Sequence, residues 1–61
     1  MKWSEMEKLA RKYGWYKYRS GACHDIYRHP DKETGIQLER HHSQEVRPGL
    51  MRKLIRTITE N

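Results

Sequence analysis

Residues 15–40, WYKYRSGACHDIYRHPDKETGIQLER, decide the fold of this 61-residue chain. Aromatic residues crowd positions 15–19, which suits the pleated surface of a strand, and a second strand is predicted over 23–29. Apolar and polar residues alternate over 36–40, the pattern of a half-buried third strand. Turn residues separate these segments, at Ser20-Gly21 and at 30–35. Three strands with such short connections predict an antiparallel meander.

Helical patterns flank this stretch on both sides. Upstream, Ser4 and Glu7 have the spacing of a capping box and Gly14 suits a helix end, which predicts a first helix over about 4–13. Downstream, Pro48 suits the first turn of a second helix. One apolar stripe marks each helix: Met6, Leu9, Ala10 and Tyr13 in the first, and Leu50, Met51, Leu54, Ile55 and Ile58 in the second. Two one-sided helices on one face of the sheet predict an α+β, αβββα fold of the double-stranded-RNA-binding type.

The composition narrows the classes of function. Thirteen Lys and Arg against eight Asp and Glu leave a net charge of +5, which favours nucleic acid, an anionic membrane or an acidic protein as partner. A single cysteine, Cys23, excludes an internal disulfide. No apolar segment suits a signal peptide or a membrane span. We therefore expect one domain over residues 1–61, in the cytoplasm and without membrane attachment.

His24 is the first candidate for chemistry. It follows a turn at the start of a strand, where its ring can reach solvent and exchange a proton near neutral pH. His41 is the second candidate, in a polar loop after the third strand. The cations predicted to hold RNA phosphates, with one imidazole, are Lys17, Arg19, Arg28, Arg40 and His42. Taken singly, each of these residues also fits an ordinary solvated surface, and His24 also fits a structural role.

Two further features concern ligands. The rings of Trp15, Tyr16 and Tyr18 lie between basic residues and suit stacking on unpaired bases, although strand tyrosines are more often found in a core. Cys23, His24, His41 and His42 are potential zinc ligands, but structural zinc sites usually pair ligands about two to four residues apart. Adjacent strand residues also point to opposite faces. We therefore expect neither a metal nor another cofactor.

Several short motifs, taken in order, resemble the HicA-type toxins, the small ribonucleases of bacterial toxin–antitoxin pairs. They are Ser4-Glu5, Gly14-Trp15, a Gly-x-x-His segment ending at His24 and leading into Tyr27-Arg28-His29-Pro30, Arg40-His41, Gln44-Glu45-Val46 and Pro48-Gly49-Leu50. The resemblance implies the αβββα fold, metal-independent cleavage of mRNA, an essential histidine at His24 and neutralisation by a HicB-type acidic antitoxin. Ala22-Cys23 stand where family members often carry Gly-Ser.

Three hypotheses for the function follow. In the first, the protein is an RNA-cleaving toxin in which His24 is the general acid or base and His41 is the second proton-transfer group. In the second, the same fold binds RNA without cutting it and tolerates the loss of His24. In the third, the basic surface serves only an acidic protein partner, which predicts no affinity for RNA at low salt.

Overall fold

The computed structural model describes residues 1–60. Its elements in chain order are α1 (Trp3–Lys12), β1 (Tyr16–Ser20), β2 (His24–Arg28), β3 (Ile36–Glu39) and α2 (Pro48–Thr59). The strands form one antiparallel sheet in the order β1-β2-β3. The predicted αβββα fold is therefore confirmed: α1 and the three strands lie within about one residue of their predicted bounds, and α2 begins at Pro48 as predicted.

A single apolar core joins the sheet to both helices. In β2 and β3 the buried residues alternate with more exposed ones, so one sheet face, here called the helix face, is covered. The indole N–H of Trp15 donates to the Ile58 carbonyl at 3.2 Å and links the start of the sheet to α2. The buried apolar residues are Trp3, Met6, Ala10, Trp15, Tyr27, Ile36, Leu38, Val46, Leu54 and Ile58.

The start of α1 differs from the prediction. The N-cap is Lys2, not Ser4, and the Glu5 carboxylate, not that of Glu7, accepts the Lys2 backbone N–H at 2.8 Å. The first backbone N–H groups of a helix have no acceptor within the helix. Here those of Trp3 and Ser4 donate to carbonyls in loop 40–46. The helix therefore begins one residue early, where the loop supplies acceptors that no local pattern reveals.

Two predicted stripe residues lie outside the core. Tyr13 is 43% exposed and Leu50 41% exposed. Tyr13 is the C-cap residue of α1, and the chain turns away immediately after it at Gly14, whose φ of 92° is left-handed. Trp15 is buried instead, which makes it unavailable for stacking on a base.

A β-bulge divides strand β1 into two parts. Lys17 pairs with Tyr27, but Arg19 pairs with Ile26, so the register shifts by one residue between them. Because the partner Tyr27 lies on the helix face, Lys17 lies there too, whereas Arg19 shares the opposite face with Ile26. We call that opposite face, which carries His24, Ile26 and Arg28, the open face.

Candidate active site

His24 is held by a tight hairpin at the first position of β2. Its carbonyl accepts the Gly21 N–H at 2.8 Å, which closes the β1–β2 connection. A Cβ at Gly21 would lie 3.0 Å from that carbonyl oxygen, so a side chain there would push the hairpin open. The sheet thus fixes the backbone of His24, while its half-buried ring stays accessible from the open face.

A carboxylate stands beside this histidine. Glu39 is directly opposite His24 in the β2–β3 ladder, and side chains opposite each other in a ladder are immediate neighbours. Glu39 is exposed at the end of β3. A carboxylate in this position can accept a hydrogen bond from the ring and orient it. Glu39 was not among the predicted site residues, although the alternation along β3 places it on the open face.

The same two residues line a groove beside the free edge of β3. The sheet contributes His24, Gln37 and Glu39, and α2 contributes Leu50, Lys53 and Thr57. Lys53 is exposed and is the cationic residue of the groove wall. In the sequence it is one of several basic residues in the second helix, and only the packing of α2 beside β3 brings it to the histidine's groove.

The predicted RNA-binding cations fall into two groups. Arg19 and Arg28 lie on the open face with His24. Lys17 and Arg40 lie on the helix side, where Lys17 Nζ is 3.6 Å and Arg40 Nε is 3.3 Å from the carboxylate oxygens of Asp25. Asp25 is only 5% exposed, so these two cations compensate a buried charge. The first pair therefore shares the histidine's face of the sheet, and the second pair does not.

His41 and His42 occupy the loop that docks on α1. Both side chains are exposed, and the His42 carbonyl accepts the Ser4 N–H at 3.2 Å. Arg40 begins this loop beside the hairpin, since its N–H lies 3.5 Å from the Cys23 carbonyl. Among residues 1–60 the structure records no contact between the rings of His41 and His24, so a shared role for them stays a prediction.

His29 is occupied by structural hydrogen bonds. Its Nδ1 accepts the Asp31 N–H at 3.0 Å, which assigns the proton to Nε2. Nε2 then donates to the Tyr13 carbonyl at 2.9 Å. The ring also packs edge-on against Trp15 at 5.5 Å between centroids. With both nitrogens engaged, His29 is a poor candidate for proton transfer.

No three His, Cys, Asp or Glu side chains within residues 1–60 converge as a metal site would require. Neither α1 nor α2 combines the length and apolarity needed to span a bilayer.

Comparison with known proteins identifies the family. The family of HicA toxins of bacterial toxin–antitoxin systems matches residues 3–59, nearly the whole chain. The chain therefore belongs to the HicA toxin family. It is the toxin component of a toxin–antitoxin system, and its partner is an antitoxin. No curated protein and no solved structure gives a match.

Proposed function

We propose that this toxin is a metal-independent endoribonuclease that cleaves mRNA and uses His24 as its catalytic histidine. The observation that carries the proposal is the placement of His24, an accessible imidazole anchored by a glycine hairpin in a groove. An acid and a cation, Glu39 and Lys53, line that groove as well. Such a set provides proton transfer and phosphate binding without a metal ion.

The proposed reaction is an internal transesterification. His24 takes the proton of a ribose 2′-OH, and O2′ attacks the adjacent phosphorus. The bond from phosphorus to the 5′-oxygen breaks, which leaves a 2′,3′-cyclic phosphate and a 5′-OH that gains a proton. General acid–base catalysis of this kind contributes roughly 10²–10⁴-fold. Glu39 would orient the ring, and His41 remains our candidate for the second proton transfer.

Binding of the substrate would depend on cations on the open face and in the groove. Arg19 and Arg28 share that face with His24, and Lys53 lines its groove. A cation close to the reacting phosphate stabilises the charge that grows on it in the transition state. Lys17, Arg40 and His42, also predicted to bind RNA, would act at the margin of this surface.

The partner we propose is a HicB-type acidic antitoxin. Carboxylates complementary to a domain of net charge +5 would speed encounter and cover the phosphate-binding cations, while the body of the antitoxin blocks His24 and the loop with Arg40, His41 and His42. We expect RNA and antitoxin to exclude each other in a titration. A ternary complex that keeps full RNA affinity would contradict direct occlusion.

The decisive experiment is cleavage of mRNA by His24→Ala. We expect loss of cleavage and of toxicity, with an unchanged circular dichroism spectrum, and persistence of wild-type cleavage in EDTA. Cys23→Ala is the matched control, because it truncates the exposed side chain next to His24 and leaves the histidine ring in place. Cleavage by His24→Ala at the wild-type rate would refute the proposal. A wild-type protein that binds RNA without cutting it would be a binding module instead.

A further inference from the structure

Two tyrosines lie exposed on the open face of the sheet. Tyr16 is 46% exposed and Tyr18 57% exposed, whereas Tyr27 on the helix face is buried. Tyr16 pairs with Arg28, the open-face residue at the far end of β2. These two rings contribute little to the core, so their role lies at the surface.

Cations are interleaved with the two rings. Arg28 Cζ lies 5.1 Å from the centroid of the Tyr18 ring, and the Arg28 guanidinium also donates to the Glu33 carbonyl at 3.0 Å. The bulge turns Arg19 onto the same face. The result is a surface of two aromatic rings with arginines beside them, the combination that binds a nucleic-acid strand through stacked bases and phosphates.

We propose that Tyr16 and Tyr18 form a stacking platform for the unpaired bases of single-stranded RNA. This inference rests on the proposed function and names the substrate class of the same site. A base stacks on a side chain only when its face is free, and in a duplex those faces are covered by neighbouring base pairs. The platform therefore selects single strands over duplexes.

The platform is also placed to present RNA to the histidine. Arg28 and His24 are the two ends of β2 on the open face, four residues or roughly 13 Å apart. With bases stacked on Tyr16 and Tyr18, the rest of the RNA would run along β2 towards His24. Arg19, opposite Ile26 midway along β2, would contact a phosphate on that path.

The test measures binding separately from cleavage. The probe is a single-stranded decanucleotide of 2′-O-methyl RNA, which lacks the nucleophilic hydroxyl, compared with the same strand in a duplex. We expect Tyr16→Leu and Tyr18→Leu each to weaken single-strand binding by roughly 5- to 150-fold. Tyr18→Phe keeps the ring and should bind like wild type. Duplex binding should be weaker than single-strand binding and unaffected by either Leu variant.

Tyr13→Leu is the matched control, since Tyr13 is similarly exposed but lies at the end of α1, outside the sheet. Leu variants at 16 and 18 that bind the single strand like wild type, or lose no more affinity than Tyr13→Leu, would overturn the platform. Tighter binding of the duplex by wild type would overturn it too. A protein that binds through the tyrosines without cleaving RNA would contradict the proposed nuclease and leave the platform standing.

Discussion

At the scale of single residues, Tyr27 shows how one buried hydroxyl ties α1 to the sheet. It donates to the Glu7 carboxylate and accepts from Arg11 Nη2 at 3.3 Å. Burial, followed by the hydrogen bond to Glu7, raises the pKa of Tyr27 to about 12. The neutral phenol is therefore favoured in the folded state relative to the unfolded chain, whose tyrosines titrate near their ordinary pKa of 10.

This shift predicts a loss of stability in alkali. A pKa that is raised on folding adds to the free energy of unfolding at lower pH. This contribution is complete below pH 10 and is lost as the pH rises through 12. It corresponds to roughly 2–3 kcal/mol of unfolding free energy. Urea unfolding of wild type and Tyr27→Phe should show the stability of wild type falling towards, or below, that of the variant between pH 10 and 12. Parallel curves would contradict the assignment.

At the scale of an element, the start of α1 predicts a contrast between neighbouring substitutions. Glu5→Ala removes the carboxylate that accepts the Lys2 N–H and an acid from the first turn. We expect it to reduce the free energy of unfolding by about 0.5–1 kcal/mol. Ser4→Ala should change it by less than about 0.5 kcal/mol, because Ser4 does not cap the helix. Chemical denaturation measures both effects. A larger loss of unfolding free energy in Ser4→Ala than in Glu5→Ala would identify Ser4 as the cap.

At the scale of the whole molecule, the net charge of +5 predicts RNA affinity that falls steeply with salt. About four phosphate contacts to a single strand give a log–log slope near −3, at roughly 0.7 per contact. Titrations of the 2′-O-methyl strand at several salt concentrations measure this slope. A dissociation constant independent of salt would contradict phosphate binding.

Two cations on β1 allow the salt dependence to be tested at single residues. Arg19→Gln should reduce the slope by about 0.7, the value of one phosphate contact, because Arg19 lies on the open face. Lys17→Gln should change it less, because Lys17 is directed to Asp25 at 3.6 Å. Equal effects would show that the bulge does not separate these residues functionally.

Local patterns were enough to predict the elements. Helical periodicity, Pro48 at the first turn of α2 and alternation along 36–40 each depend on neighbours a few residues away. The order αβββα follows from them, and so does the position of His24 after a turn. The grouping of Lys17 with Arg19 as RNA-binding residues depended on the strand face on which each lies. The one-residue bulge places them on opposite faces.

The sequence by itself therefore determined the αβββα order, the basic charge and the family motifs, among them the Gly-x-x-His segment that ends at His24, since these follow from composition and from short stretches. Only the tertiary structure decided that Lys17 and Arg19 lie on opposite faces, that Glu39 and Lys53 line the groove of His24, and that loop 40–46 supplies acceptors to α1. These features depend on strand register and on the packing of α2 beside β3. Both are set by contacts between residues far apart in the chain, which no local pattern encodes.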